Sequence, residues 1–241
     1  MLILVGGCGH CQGAPSEVAR DHLFFCARYL EAGELEKAEM RCELALEHEP
    51  NLPEAFNLLG LIARHRGQDD AAARSYKQAI ALRADFPEAL SNYGELFMDR
   101  REYARACELF QEAIRIDPSF VVARANLGRC LYHEDERAQA RKEFLKCLEQ
   151  DPDQCACRLG LGVLAADARA LDEAKEHFTR LTEICPNDAT GHYNLCWTFL
   201  EKGKCVEAVV ACGQALKLDP GHLEARQAIE KAHSCGGARG G

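Results

Sequence analysis

The sequence lacks several features that would place it in familiar classes. No stretch of about 18 apolar residues occurs, so no membrane-crossing helix is expected. No basic excess occurs either. Lysine and arginine total 29 against 38 aspartates and glutamates, a net charge of -9, and generic nucleic-acid binding needs a basic face. A catalytic set is missing. The histidines, among them His22, His65, His133, His177 and His222, are scattered, and no His-Glu-x-x-His spacing appears. Close carboxylates such as Glu173 and Glu176 read as solvated helix faces. No enzyme activity, cofactor, metal or small-molecule substrate is therefore expected. Cysteine is not scarce. Fourteen cysteines in 241 residues, about 6%, still fall below the density of small disulfide scaffolds, so the fold is not expected to need them.

What is present is a period. From Pro87 to about Arg100, Leu90, Tyr93, Gly94 and Phe97 recur at spacings of three and four. From Tyr103 to Ile116, Ala106, Phe110, Ala113 and Ile114 do the same. That is the helical period on two short amphipathic helices. Asp117-Pro118 closes the unit, because proline cannot continue a helix. The same residue types return every 34 positions. With Ala19, Pro53, Pro87, Val121, Cys155 and Ala189 each counted as slot 1, slot 20 is Ala38, Ala72, Ala106, Ala140, Ala174 and Ala208. Slot 32 is proline in all but one repeat, from Pro50 to Pro220. Slot 8 is Gly60, Gly94, Gly128 and Gly162 in the middle four repeats, and slot 24 is Tyr76, Phe110, Phe144 and Phe178 in the same four. Glycine and alanine let paired helices approach closely, and the aromatic fills the space beside them. Slot 15, the turn between the helices, is Gly33, Gly67 and Gly203 in three repeats, which suits a left-handed cap.

A helix–turn–helix period of 34 residues with Leu-Gly, Ala, an aromatic and Pro at these places resembles the tetratricopeptide repeat. The resemblance covers Ala19 to His222. It implies an all-α fold, a right-handed superhelical array of six tetratricopeptide repeats at 19–52, 53–86, 87–120, 121–154, 155–188 and 189–222. A C-terminal capping helix is expected at 223–234, solvating the open end of the stack, with a glycine-rich, disordered tail at 235–241.

In the family, slots 2, 5, 6, 9, 12 and 13 of the first helix face a concave groove. Slot 6 is Asn92, Asn126 and Asn194 in repeats three, four and six. An amide both donates and accepts, so it can grip an extended peptide backbone. Leu23 and Leu61 near the start, Leu159 and Val163 in repeat five, and Tyr193 and Trp197 in repeat six add apolar surface. Trp197, the only tryptophan, is a candidate anchor, or else packs under the capping helix. The groove lacks the lysines and arginines that clamp a C-terminal carboxylate in chaperone-binding members. A protein segment is the expected partner.

Before the repeats, Leu2 to Val5 are apolar and Val5-Gly6-Gly7-Cys8 follows. This resembles the end of a bacterial lipoprotein signal, with a shorter apolar run than usual and no basic stretch before it. The resemblance implies a signal segment at 1–7, acylation of Cys8, a flexible spacer at 8–18 and, from Gly9, outer-membrane delivery. Cys8-Gly9-His10-Cys11 also matches the disulfide-isomerase motif, but no strand precedes it and Gln12-Gly13-Ala14-Pro15 follows, so redox chemistry is not expected.

A lipid anchor with six such repeats resembles the tetratricopeptide pilotins of type IV pili, the PilF/PilW family, and within it the Tgl lipoproteins. The resemblance implies a periplasm-facing scaffold that binds outer-membrane secretin subunits and promotes their assembly, and so pilus-dependent motility. The alternative is a cytosolic adaptor. One further pattern bears on the compartment. Where the middle repeats have Gly at slot 8 and an aromatic at slot 24, the first has Cys26 and Cys42, and the sixth has Cys196 and Cys212. The joint change suggests two disulfides across the terminal helix pairs, which require an oxidising compartment. Cys147, at slot 27, reads instead as a small core filler.

Overall fold

The structure, a computed structural model, describes residues 16–237. Cys8 and most of the expected spacer lie outside the described residues. Thirteen helices and no strand occur among the described residues. The chain divides into two compact units, one ending at Leu96 and the other beginning at Phe97.

The first unit holds α1 (Glu17–Glu31), α2 (Leu35–His48), α3 (Pro53–His65), α4 (Asp69–Leu82) and most of α5 (Pro87–Asp99). The first helix starts inside the expected spacer, because Ser16 caps it: its Oγ accepts from the Ala19 N–H at 3.2 Å. The second unit continues with α6 (Tyr103–Ile116), α7 (Val121–His133), α8 (Arg137–Gln150), α9 (Cys155–Asp167) and α10 (Leu171–Ile184). It ends with α11 (Ala189–Glu201), α12 (Cys205–Leu218) and α13 (Leu223–Gly237). The capping helix α13 thus runs past Ser234, where it was expected to stop, and includes Cys235.

Within each unit the packing follows from the small residues. All six slot-20 alanines are fully buried. A Cβ on Gly60 would stand 2.6 Å from Tyr76 Cδ1, and one on Gly162 2.7 Å from Phe178 Cδ1. The aromatic ring therefore lies directly on the glycine backbone of the facing helix. Slot 15 takes a left-handed turn throughout, with φ of +73°, +70° and +68° at Gly33, Gly67 and Gly203, and of 60°, 63° and 58° at Arg101, Asp135 and Arg169. The repeat geometry forces a conformation there that costs about 1–2 kcal/mol for a residue bearing a Cβ.

A second contact joins consecutive repeats, between slot 27 and slot 3 of the next. At most joints both are alanine and buried: Ala45 with Ala55, Ala79 with Ala89, Ala113 with Ala123, Ala215 with Ala225. Two joints differ, and each difference is matched. Leu181 is fully buried where its counterparts are small, and the facing residue is Gly191, on which a Cβ would meet Leu181 Cδ2 at 3.2 Å. Cys147 faces Cys157, their Cα atoms 6.4 Å apart, and the two are paired. Cys147 is thus not a simple core filler.

The links between repeats are closed by polar contacts. Asp117, Asp151 and Asp219 each precede the slot-32 proline, and each accepts from the N–H two residues on, at 2.9, 3.1 and 2.8 Å. The proline carbonyl is then taken by slot 4 of the next helix: Arg124 to Pro118 at 2.9 Å, Arg158 to Pro152 at 2.9 Å, His192 with Pro186 at 3.0 Å and Arg226 to Pro220 at 2.5 Å. Arg124 also donates to Glu143 at 2.7 Å, and this ion pair is buried, its side chains 8% and 13% exposed. Burial is the largest single influence on Glu143 and opposes its ionisation. Lys146 and Arg124 together outweigh it and hold the carboxyl below its ordinary 4.5.

Two predictions follow from these contacts. Leu181→Ala empties a buried site and should cost about 3 kcal/mol. Adding Gly191→Ala, whose Cβ enters the vacated space, should recover about 1 kcal/mol in a denaturant-unfolding cycle; strict additivity would contradict the matched joint. Arg124→Met leaves Glu143 buried without its arginine and should cost about 3 kcal/mol at neutral pH. Because the folded carboxyl is depressed, its stabilisation is present above pH 4.5 and lost as pH falls below it. The gap between variant and parent should therefore narrow in acid unfolding measurements to what the Pro118 bond contributes, and a pH-independent gap would assign the whole loss to that bond and to packing.

Candidate functional site

In the first unit, α3 and α5 present Leu61 and Asn92 at their groove slots. Asn92 spends a donor on Asn57 Oδ1 at 2.9 Å, and Asn57 is 8% exposed. At the edge, Arg64 donates to Glu95 at 2.5 Å. Leu61 is half-buried beside them. The amide of Asn92 is thus part of an internal pair as well as of the surface.

In the second unit, α7, α9 and α11 carry the corresponding residues. Asn126 is 8% exposed. Asn194 turns its amide back onto the carbonyl of Thr190 in its own helix at 2.9 Å. Tyr193 leans on His222, ring centroids 4.7 Å apart, and its phenol is raised above its ordinary value by burial and then by Glu224 of α13. Trp197 is half-buried at slot 9. The asparagine row of the sequence is therefore engaged at Asn92 and Asn194 with the protein's own groups.

One apolar concavity of this unit lies between α7 and α9. It has a volume of about 210 Å³ and is lined by Asn126, Arg129, Tyr132, His133, Leu159 and Val163. Phe144 closes its base beside Gly160. The ring, from α8, lies between the backbones of α7 and α9, the first helices of successive repeats: a Cβ on Gly128 would meet Phe144 Cδ1 at 2.6 Å, and one on Gly160 would meet Cε1 at 2.7 Å. Glycine at slot 6 of repeat five is what leaves this space open. The volume is below the roughly 300–1,000 Å³ of small-molecule sites, so it suits a side chain better than a cofactor. His133 stacks on Tyr103 at 4.6 Å, and its pKa lies below the ordinary value through burial and then the charges of Arg129 and Arg101. Tyr132 donates to Asp167 at 2.8 Å. Among the described residues no cluster of His, Cys, Asp and Glu could hold a metal ion, and no helix is long and apolar enough to cross a membrane.

The cysteines are brought together beyond what slots 8 and 24 suggested. Cys26 and Cys42 have Cα atoms 5.4 Å apart, and Cys196 and Cys212 5.2 Å. Four further pairs stand at 5.7–6.4 Å: Cys107–Cys130, Cys147–Cys157, Cys155–Cys185 and Cys205–Cys235. All lie within reach of a disulfide, and no described cysteine is left over. The signal for these was in the repeat register. Cys205 and Cys235 occupy slot 17 and the following slot 13, the places that Arg137 and Asp167 fill with an ion pair. Cys185 stands where Asp117, Asp151 and Asp219 close their loops, and it meets Cys155 instead.

A tetratricopeptide-repeat family model matches residues 97–156, and a TPR-repeat model matches residues 60–99. No curated protein matches the chain. Solved structures do. PilF of Pseudomonas aeruginosa aligns at 22% identity with a TM-score of 0.78, over 89% of this chain and 98% of its own. PilW, a type IV pilus biogenesis factor, aligns at 20% and 0.78, over 89% and 99%. The fold is a tetratricopeptide-repeat array. The Cut9–Hcn1 assembly of the anaphase-promoting complex superposes as well, at 18% and 0.81 over 89% of this chain but 42% of its own. At these identities the likeness carries the fold alone. Tetratricopeptide arrays are protein-interaction scaffolds that bind segments of other proteins, and the side-chain-sized pocket of the second unit fits that use.

Proposed function

We propose that this tetratricopeptide array is a pilotin-type scaffold of the bacterial envelope. Acylated Cys8 holds it at the outer membrane facing the periplasm, and its groove surface holds secretin subunits until they oligomerise into the ring that type IV pili cross. The observation that carries this reading is the pairing of every described cysteine. Such bonds persist in the periplasm and outside the cell, whereas cytosolic thiols are kept reduced, so a cytosolic adaptor would have no use for the arrangement. Support also comes from PilF and PilW, whose own chains are matched almost end to end. The Gly6-Gly7-Cys8 box supplies the anchor, and more than one acyl chain, at about 0.8 kcal/mol per buried methylene, makes attachment stable.

Radiolabelled palmitate fed to cells expressing the gene from its native locus tests the anchor and the role together. The label is expected on the parent protein and absent from Cys8→Ala, which should stay folded, leave the outer-membrane fraction and lower the yield of detergent-resistant secretin multimers. An unlabelled parent, or a Cys8→Ala variant with normal fractionation and normal multimers, would contradict the proposal.

A further inference from the structure

The pocket between α7 and α9 has a chemistry of its own. Its interior is apolar, formed by Phe144, Ala156, Leu159 and Val163. Its rim is cationic. Arg129 projects from α7 and is exposed. Arg101 lies in the turn before α6, two residues from Tyr103, whose ring stacks on His133 of the pocket at 4.6 Å, and its charge, like that of Arg129, disfavours the protonated imidazole. Other arginines of this unit are committed to carboxylates: Arg124 to Glu143, Arg141 to Glu173, Arg169 to Glu201, Arg180 to Asp153. The guanidinium groups of Arg129 and Arg101 make no ion pair or hydrogen bond among the described residues. Asp167, which accepts from the lining residue Tyr132, is also paired with Arg137. In a chain of net charge -9, two unneutralised guanidinium groups beside an apolar hole are a local reversal of sign.

We propose that this pocket receives one large apolar side chain from an extended protein segment whose neighbouring residues are aspartate or glutamate, with the carboxylates set against Arg129 and Arg101. The inference rests on the reading of the array as a scaffold for a protein segment, and adds which kind of segment. The apolar hole supplies the anchor, since a buried side chain in a desolvated pocket dominates such contacts. The two cations set the sequence preference, because complementary charge at a rim selects partners and speeds their encounter. Repulsion by the acidic remainder of the surface would keep an acidic segment from settling elsewhere.

The test uses the purified full chain and fluorescence anisotropy with three short labelled peptides. One holds Leu-Phe between glutamates, one holds Leu-Phe between lysines, and one holds Ser-Ser between glutamates. The first should bind, more weakly as salt rises, and the other two should bind at least about tenfold less well. Arg129→Glu, at an exposed unpaired position, should weaken the first peptide by about tenfold or more and improve the second. Arg101→Gly, which suits the left-handed turn, should weaken the first without lowering the melting temperature. Equal binding of the glutamate and lysine peptides, with Arg129→Glu without effect, would overturn the charge assignment and leave a plain apolar groove. Binding of the first peptide unaltered by either variant would place it at another site and overturn the pocket. Failure of all three peptides would also overturn it. Secretin multimers counted separately in cells carrying Arg129→Glu and Cys8→Ala tell that failure from failure of the scaffold reading: loss with Cys8→Ala alone retains the scaffold and removes the pocket from its mechanism.

Discussion

The structure depends on how closely the helix backbones approach at two recurring contacts. One is slot 8 against slot 24 within a repeat, where an aromatic ring rests on a glycine. The other is slot 27 against slot 3 of the next repeat, where two alanines meet. Both leave no room for an unmatched side chain. Where the chain departs from the small residue at one side, the other side departs with it: Leu181 with Gly191, Cys147 with Cys157, Cys26 with Cys42, Cys196 with Cys212. The same closeness lets cysteine take the place of packing, since Cα separations of 5.2–6.4 Å fall within the span of a disulfide. A bridge across 16 residues removes enough freedom from the unfolded chain to be worth about 3 kcal/mol in the chain-entropy account. Cys26–Cys42 ties α1 to α2, and Cys196–Cys212 with Cys205–Cys235 ties α11, α12 and α13.

The same geometry shapes the binding surface. Phe144 fills the space over Gly128 and reaches Gly160 of the next repeat, so one ring serves both as a core contact and as the base of the pocket. The slot-4 contacts to the proline carbonyls, with the buried Arg124–Glu143 pair among them, hold the linking turns that set one helix pair against the next. A concavity built on such rigid elements keeps its shape before a partner arrives, which lowers the ordering cost of binding.

Much of this was legible in the residues. The period of 34, the Gly–aromatic pairs and the Asp-Pro stops place α5 and α6 to within a residue, because each reflects a local steric demand that repeats in register. The alanine–alanine joints were equally visible as residues but not as contacts. Slot 27 and slot 3 sit on different repeats, and only their joint departures at Leu181/Gly191 and Cys147/Cys157 betray that they touch. Cys147–Cys157 is hidden in the sequence for that reason, and Cys107–Cys130 and Cys205–Cys235 likewise reach beyond one repeat. The asparagines, whose spacing suggests a row for a partner's backbone, also bond within the protein: Asn92 to Asn57 and Asn194 to Thr190. An amide near a helix surface finds donors and acceptors inside the protein first. The pocket beside Asn126 owed its existence to an absence, Gly160, at a slot where Asn92, Asn126 and Asn194 drew attention.

The central claim is that cysteine pairs replace repeat-packing contacts and that the protein matures where such pairs form. Peptide mapping under non-reducing conditions, on protein alkylated at lysis and purified from its native envelope, tests it directly. The account predicts the linked peptides Cys26–Cys42, Cys107–Cys130, Cys147–Cys157, Cys155–Cys185, Cys196–Cys212 and Cys205–Cys235, with no alkylated thiol at any of these positions. Alkylated, free cysteines at Cys26, Cys42, Cys196 and Cys212 would contradict it, and with it the assignment of the protein to an oxidising compartment.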